Sequence, residues 1–198
     1  MKYPEHLTTL INMLKRLPGV GNKTAERYAF QMLEWTPQNL KEISNSIGDL
    51  KVKTKYCTEC GYFTEEQSCF FCVEHRIQTG IICIVPSIRE VFAIESTGEY
   101  KGVYHILGGL LSPIEGIGPE AFSTEKLIER IQKHGFTEAI IGIDSTLEGD
   151  ATALFLKKEL SHLQIKISRL AFGIPMGSSL DYVDGNTLAR SFLGRNII

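Results

Sequence analysis

The chain has 198 residues, 43% of them hydrophobic and 22% charged, and a formal net charge of −2 at pH 7. This composition predicts an ordinary globular protein with one main core and a small appendage, without internal repeats or low-complexity tracts. No apolar run approaches the roughly 20 residues of a membrane-spanning helix and nothing at the N-terminus resembles a secretory signal, so we expect a cytoplasmic protein with no membrane partner.

Charge is unevenly distributed along the chain. Residues 1–55 hold nine Lys or Arg and five Asp or Glu, whereas the remainder holds twelve and eighteen. A basic front on an acidic body can bind phosphate locally. Alternatively, Lys51, Lys53 and Lys55 only solvate a linker.

Two helices joined by a tight turn open the chain. Apolar residues recur at helical spacing over residues 6–16 and again over residues 23–33, and a Pro-Gly-Val-Gly segment at 18–21 separates the two stretches. A third short helix is predicted over residues 37–48, with Pro37 in its first turn. The front of the chain is therefore predicted to be all-helical.

The turn between the first two helices has the composition of a phosphate-binding hairpin. Gly19 and Gly21 permit backbone torsions closed to other residues and leave amide N–H groups bare at the start of the next helix. These amides and the positive helix end can hold a phosphate, and Lys23 and Arg27 extend the same face along a nucleic-acid backbone. The pattern indicates a helix-hairpin-helix motif, which contacts phosphates and not base edges. The alternative is an ordinary αα-hairpin with solvated cations.

The same segment does not fit a P-loop. A Walker A motif requires Gly directly before Lys and a strand before the loop. Here Asn22 stands between Gly21 and Lys23, and a helix precedes the turn. We therefore exclude nucleotide-triphosphate hydrolysis at this site.

Two Cys-x-x-Cys pairs, eight residues apart, predict a structural zinc site. The pairs are Cys57 with Cys60 and Cys69 with Cys72. Four thiolates complete a tetrahedral Zn²⁺ shell with no open position for water. The alternatives are two disulfides or reduced buried thiols, and His75 could replace one cysteine as a ligand. The remaining cysteine, Cys83, lies in an apolar run and is expected in the core.

From residue 81 onward, short apolar runs alternate with amphipathic stretches, which is typical of crossover βα units. Strands are predicted at Ile81–Val85, Val103–Leu107, Ala139–Ile143 and Ile165–Leu170. Helices are predicted at Ile88–Glu95, Thr124–His134, Ala151–Leu163 and Asn186–Leu193. This order predicts an α/β fold with a parallel sheet covered on both faces. The glycine-rich stretch 108–119 is too long for a simple turn and is either a functional loop or an irregular cap.

Three carboxylates follow the third predicted strand, at Asp144, Glu148 and Asp150. In an open parallel sheet ligands usually bind at the strand ends, so these groups could hold Mg²⁺. Alternatively, Asp150 caps the helix that is predicted to begin at Ala151. The sequence leaves both interpretations open.

Taken together, these motifs resemble the RecR family of bacterial recombination mediator proteins. The resemblance runs through essentially the whole chain. Besides the hairpin and the four cysteines, it includes the segments 96–102, 104–109, 111–113, 116–119, 147–153, 173–177 and 187–190. Such a succession of motifs in one order is far more specific than a single glycine turn.

The resemblance implies four segments and a set of ligand-binding residues. The segments are a helix-hairpin-helix DNA-binding domain (1–54), a Cys₄ zinc finger (55–78), a Toprim-type parallel-sheet domain (79–174) and a C-terminal oligomerisation segment with a helix (175–198). The DNA-binding residues would be Gly19, Gly21, Lys23 and Arg27, and one structural Zn²⁺ per chain would be held by Cys57, Cys60, Cys69 and Cys72. The residues that would meet the partner protein RecO are Asp144 and Glu148.

The resemblance also implies how the protein works. Family members form ring-shaped homo-oligomers, dimers or tetramers, that encircle or clamp double- or single-stranded DNA without sequence preference. They act with RecO and RecF to load RecA onto single strands coated by single-strand-binding protein. We therefore expect a DNA-binding mediator in recombinational DNA repair.

One position departs from the catalytic Toprim pattern. Catalytic Toprim enzymes carry a Glu directly after the first strand, whereas this chain has Val85, Pro86 and Ser87. Without that carboxylate, acid–base catalysis and metal binding both lose a group. We therefore expect a protein that is not an enzyme. The alternatives are a Mg²⁺-dependent Toprim nuclease or nucleotidyl-transferring enzyme, and a zinc-stabilised scaffold that binds only protein.

The C-terminal end of the chain is unusually apolar. Its apolar residues are Leu188, Phe192, Leu193, Ile197 and Ile198. Chain termini are normally polar and frayed, so such residues need a partner surface. They could fold back onto the sheet, but the resemblance favours packing on a neighbouring subunit, with the N-terminal helices making a second contact that closes a ring.

Overall fold

The computed structural model describes residues 3–64, 69–171 and 173–195, and the chain divides into two compact units, residues 1–54 and 55–198. The helices in the described part are α1 (Glu5–Leu14), α2 (Asn22–Leu33), α3 (Pro37–Lys53), α4 (Glu74–Ile77), α5 (Ile88–Glu95), α6 (Thr124–His134), α7 (Leu147–Leu160) and α8 (Gly185–Leu193). The strands there are β1 (Lys55–Tyr56), β2 (Phe63–Thr64), β3 (Ile81–Val85), β4 (Val103–Ile106), β5 (Glu138–Ile141) and β6 (Lys166–Arg169). Among these helices none is both long and apolar enough to cross a membrane.

The first unit is built on two helices that pack through small residues. Leu7 and Ile11 of α1 are buried against Ala25 and Ala29 of α2. Because alanine carries a single methyl group, the two helices can approach closely and still fill the space between them. The predicted pair of helices is confirmed, and its contact fixes which face of α2 is left to solvent.

The third helix is longer than the sequence indicated. It begins at Pro37, where the Thr36 hydroxyl accepts a hydrogen bond from the Asn39 N–H, and it continues to Lys53 instead of ending near residue 48. Lys51 and Lys53 therefore lie in the last helical turn, where cations interact favourably with the helix dipole. The interpretation that these lysines only solvate a linker is therefore wrong for Lys51 and Lys53, which belong to α3.

The second unit contains a parallel sheet with the strand order β4-β3-β5-β6 in the described part of the chain. β3 is paired on both sides, Ile82 facing Val103 of β4 and Ala139 of β5. Helices α5, α6 and α7 lie in the connections, as crossovers between parallel strands require. The predicted parallel sheet is confirmed, and the strand ends differ from the predicted ones by at most two residues.

The two faces of the sheet are covered by different elements. On one face, Ile82 is buried with Leu127 of α6 and Leu156 of α7. On the other face, Cys83 is buried in a cluster with Val91 of α5 and with Tyr62. Tyr62 belongs to the stretch 57–72 that carries the four paired cysteines, which we call the cysteine segment. Cys83 is therefore a core residue, as predicted. The cysteine segment is itself part of this second core.

The cysteine segment also covers one edge of the sheet. The backbone N–H of Ile106, in the edge strand β4, donates to the Cys60 carbonyl at 2.9 Å. An exposed strand edge presents unpaired N–H and C=O groups to other chains. The cysteine segment thus satisfies one of the backbone groups that the edge of β4 would otherwise leave unpaired.

The glycine-rich stretch 108–119 is tied to the rest of the second unit. Ser112 and Ile117 form an isolated antiparallel bridge, and the Leu111 N–H donates to the Thr152 hydroxyl of α7 at 2.9 Å. These bonds hold the stretch in an irregular conformation, and both interpretations of it, a functional loop or an irregular cap, stay open.

Candidate metal centre and nucleic-acid interface

The turn between α1 and α2 is a type II β-turn. Pro18 and Gly19 occupy its two central positions, Gly19 has φ +77°, and the Val20 N–H donates to the Leu17 carbonyl at 3.1 Å. A type II turn requires positive φ at its third residue, which glycine adopts without strain. Val20 then packs against the core of the first unit. The turn geometry is therefore dictated by the residues that occupy it.

The first turn of α2 presents free backbone amides. Gly21 is the N-cap and its carbonyl accepts the first helical hydrogen bond, from the Ala25 N–H at 2.9 Å. The N–H groups of Asn22, Lys23 and Thr24 precede that bond and so have no helical partner. Among the described residues, no heavy atom lies within 4 Å of the place where a Cβ on Gly21 would be. Gly21, Asn22 and Lys23 are exposed, so an anion in solution can reach this end of the helix.

Two cations line the exposed side of α2. Lys23 and Arg27 are both exposed, because the opposite side of the helix carries the buried Ala25 and Ala29. The Arg27 guanidinium lies 5.7 Å from the ring centroid of its neighbour Tyr28. The first turn of α2 contains no acidic residue. The one acidic residue of α2, Glu26, is half-buried, so the exposed charged side chains of this helix are the two cations.

The four cysteines converge as the sequence predicted. The sulfurs of Cys57, Cys60, Cys69 and Cys72 all lie within 4.8 Å of one another. The Sγ atoms of Cys57 and Cys72 are 3.9 Å apart, and those of Cys60 and Cys69 are 3.5 Å apart. All five cysteines are free thiols, which does not favour the disulfide alternative.

The spacing of the sulfurs fits a tetrahedral metal ion. With Zn–S bonds of about 2.3 Å, a regular tetrahedron places its sulfurs about 3.8 Å apart. The hydrogen bond between Cys60 and Cys69 lowers the pKa of Cys69 and raises that of Cys60, which reflects how closely the sulfurs approach. Burial raises the pKa of the Cys83 thiol to about 12 and keeps it neutral. The donor set thus fits a structural zinc ion.

Other candidate ligands do not join a comparable cluster. Within the described ranges, the four cysteines are the one group of three or more His, Cys, Asp or Glu side chains whose ligand atoms converge. His75 lies in the short helix α4 and is not a member. In the same part of the chain, the three carboxylates that follow β5 do not form such a group either.

The start of α7 differs from the prediction. The helix begins at Leu147, and its N-cap is Thr146, whose hydroxyl accepts a hydrogen bond from the Gly149 N–H at 3.0 Å. The interpretation of Asp150 as the cap of a helix that begins at Ala151 is therefore wrong. The helix starts earlier because the Thr146 hydroxyl caps it four residues before Asp150. Gly149, in its first turn, lies against the Asp144 carbonyl, where a Cβ would collide.

Asp150 is instead bound by two arginines. Its Oδ1 lies 2.8 Å from Nη1 of Arg169, and its Oδ2 lies 2.6 Å from Nη2 of Arg190 in α8. Arg190 also donates from Nη1 to the Ser145 hydroxyl at 2.6 Å. Arg190, and then Arg169, hold the pKa of Asp150 below its usual value. Both carboxylate oxygens are thus engaged by cations, which argues against their use as Mg²⁺ ligands.

The other two carboxylates flank the N-cap of α7. Asp144 is exposed and Glu148 is half-buried. At the end of the neighbouring strand β3 stands Pro86, which is buried and carries no carboxylate. Among the described residues, the end of the sheet therefore offers two carboxylates without a closed metal site, beside the two arginines that bind Asp150.

Three arginines that sequence analysis did not single out organise these sites: Arg130, Arg169 and Arg190. Arg130, in α6, reaches the sulfur of Cys72 at 3.3 Å. A signal was available for it, since residue 130 falls between Leu127 and Ile131 on the buried face of an amphipathic helix. The sequence carried no comparable signal for the pairing of Arg169 and Arg190 with Asp150.

Family models match three stretches of the chain. A Toprim domain matches residues 80–171. A RecR helix-hairpin-helix matches residues 7–50, and a RecR C-terminal domain matches residues 173–196.

Curated proteins match over the full length of the chain. The protein named Recombination protein RecR in Protochlamydia amoebophila (strain UWE25) is 55% identical over 196 residues, and the alignment covers 99% of both chains. The protein of that name in Chlamydia trachomatis serovar D is 47% identical over 201 residues, and that of Moorella thermoacetica is 41% identical over 196 residues. Each of these two alignments covers 99% of this chain and 98% of the relative.

Proposed function

The chain belongs to the RecR family of recombination proteins, with a role in DNA recombination and repair, and on this premise we propose that it is a DNA-binding mediator and not an enzyme. As such it binds double- and single-stranded DNA without sequence preference, and it acts with RecO and RecF to load RecA onto coated single strands. The observation that carries this proposal is the open amide cradle at the start of α2, beside two exposed cations.

This cradle is suited to phosphates and not to bases. Free N–H groups at a helix N-terminus bind anions because the helix dipole and the hydrogen-bond donors point the same way. Gly21, the exposed N-cap, has no side chain that could screen these amides, and Lys23 and Arg27 can neutralise the neighbouring phosphates. Contacts of this kind position a protein on DNA but carry no sequence information.

The cysteine cluster has a structural role in this proposal. Cys57, Cys60, Cys69 and Cys72 hold one Zn²⁺ per chain, which four thiolates surround completely, so the ion cannot bind a substrate. The metal instead keeps Cys60 and Cys69 folded into the second core and against the edge strand β4.

A mediator without catalysis is favoured over a Mg²⁺-dependent enzyme by the state of the Toprim carboxylates. Pro86 replaces one carboxylate, and Asp150 is bound by Arg169 and Arg190. The two that remain, Asp144 and Glu148, are accessible to a protein partner. We assign them to the surface that meets RecO.

Loading of RecA is the direct test of this function. With RecO present, the protein is expected to accelerate RecA filament formation on single strands coated by single-strand-binding protein. A double variant of Asp144→Ala and Glu148→Ala should lose RecO binding and loading but keep its affinity for DNA. Cleavage or joining of plasmid DNA that requires Mg²⁺ and disappears in Asp144→Asn would instead support the enzyme alternative, and absence of DNA binding would support the protein-only scaffold.

The protein is further proposed to act as a ring-shaped homo-oligomer, a dimer or a tetramer, through its segment 175–198. In the described part of that segment, Tyr182 is 90% exposed, Phe192 64% and Leu193 84%. These side chains would be covered in a neighbouring subunit. Ile197 and Ile198, which belong to the same predicted contact, lie outside the described residues.

Deleting residues 187–198 is expected to lower the oligomeric state and to weaken DNA binding, although Lys23 and Arg27 remain. The reason is that a clamp binds DNA through several subunits at once, which makes the overall affinity much higher than that of one subunit. Sedimentation velocity measures the mass, and fluorescence anisotropy measures the affinity.

The deletion also removes Arg190, so two point variants separate its effects. Phe192→Ser combined with Leu193→Ser keeps the bond to Asp150 and should still dissociate the oligomer. Arg190→Ala should leave the mass unchanged. The proposed interface would be contradicted by a truncated protein that is folded, has the same number of subunits as the full-length protein and binds DNA with unchanged affinity.

A further inference from the structure

Arg130 is a buried arginine that bridges the sheet and the cysteine cluster. Its side chain is 4% exposed. Its Nη1 donates to the Tyr104 carbonyl of the edge strand β4 at 2.6 Å, and its Nη2 donates to Sγ of Cys72 at 3.3 Å. One planar group thus joins α6, β4 and a metal-binding sulfur.

The charge of Arg130 is not matched by a carboxylate at hydrogen-bonding distance in the described structure. Its Nε lies 3.7 Å from Oε2 of Glu59 and has no hydrogen-bond partner there. The other oxygen of Glu59 is bonded to Lys133 at 2.7 Å. Glu59 is thus a shared and more distant counter-ion, which leaves Arg130 able to interact with a second negative group beside it.

A zinc ion with four thiolates supplies that second negative group. One Zn²⁺ and four thiolates carry a net charge of −2, and the cluster is partly removed from water: Cys60 and Cys69 are buried, and Cys57 and Cys72 are half-buried. A buried dianion needs compensation as much as a buried cation does. The guanidinium and the metal centre are therefore complementary in charge and in contact through Cys72.

We propose that Arg130 is a positioning residue for the zinc centre. Its N–H group donates to the Cys72 thiolate and orients that ligand, and its positive charge offsets part of the negative charge of the metal–thiolate group. Partners of this kind behind the metal ligands typically change metal affinity by about 10- to 100-fold. The inference rests on the proposed zinc site.

The arrangement also ties the metal to the sheet. Because the same guanidinium donates to the Tyr104 carbonyl, loss of the metal removes one of the two negative groups beside this buried side chain and leaves only the more distant Glu59. The sheet edge and the cysteine segment are thus expected to loosen together.

The test compares three variants of the full-length protein: Arg130→Met, Arg130→Lys and Lys133→Met. Lys133 is the matched control, because it lies on the same helix and pairs with Glu59 but contacts no sulfur. The readouts are the rate of zinc transfer to a chromophoric chelator and the sulfur-to-metal charge-transfer band of the cobalt-substituted protein. Metal analysis of the unmodified protein comes first, since it decides whether the zinc site itself exists.

Arg130→Met is expected to release zinc at least tenfold faster and to shift the charge-transfer band, whereas Lys133→Met should do neither. Arg130→Lys keeps the positive charge, so its rate of zinc release and its band shift should lie between those of the other two variants. This variant also allows the test if Arg130→Met does not fold. A purely structural role would lower the stability of the Arg130 variants but leave the band in place. An unchanged band in Arg130→Lys and Arg130→Met, or equal zinc loss in Lys133→Met, would overturn the inference.

Discussion

Replacing Cys72 by serine is expected to abolish zinc binding and the folding of the cysteine segment. A structural zinc ion contributes folding free energy on the order of 10 kcal/mol, which is comparable to the whole stability of a typical domain, about 5–15 kcal/mol. The loss should spread to the sheet, because Cys60, Cys69 and Tyr62 are buried in the core on one face of it. Metal analysis and chemical unfolding followed by circular dichroism measure both effects.

Cys83→Ala is the control for this substitution. Cys83 is buried in the same core, but its thiol lies outside the four-sulfur cluster. Removing it should cost little more than a small cavity and should leave one zinc per chain. If freshly purified protein held much less than one zinc per chain, or if Cys72→Ser unfolded like the unmodified protein, the zinc assignment would be wrong.

Lys23→Ala and Arg27→Ala are expected to weaken DNA binding strongly and equally on all sequences. Removing one phosphate interaction reduces the slope of log affinity against log salt by about 0.9 on duplex DNA and by about 0.7 on single strands. Relative to 1 M salt, where such contacts contribute little, this slope corresponds to a loss of roughly tenfold in affinity per phosphate at 0.1 M salt. In an oligomer each subunit that binds DNA loses the same interaction. The total change in slope is therefore proportional to the number of subunits in contact with DNA. Titrations at several salt concentrations measure it.

Gly21→Ala tests the amide cradle without removing a charge. Gly21 has φ −82°, which alanine adopts readily, and no described atom obstructs a Cβ there. The variant should therefore fold normally but hold phosphate less closely. Lys41→Ala, in α3 of the same unit, removes one exposed cation away from the hairpin and should have little effect. Equal weakening in Lys41→Ala and Lys23→Ala, or an altered sequence preference, would contradict the proposed phosphate binding.

Features that depend only on neighbouring residues could be predicted from the sequence. Pro18 and Gly19 fixed the type II turn, since only glycine adopts positive φ freely at its third position. Apolar periodicity placed α5, α6 and β3 with their observed ends. The Cys-x-x-Cys spacing predicted the four-sulfur cluster, because each pair can bind one ion from a single short loop.

Tertiary structure alone decided which distant groups meet. Asp150 was a plausible helix cap on local grounds, but it is bound by Arg169 and Arg190, which lie 19 and 40 residues further along the chain. Arg130 meets Cys72 across 58 residues of sequence. Local hydrogen-bonding rules cannot predict such pairs, because they depend on strand order and on which helix covers which face of the sheet. A buried charge is then compensated by whichever opposite charge the fold brings to it.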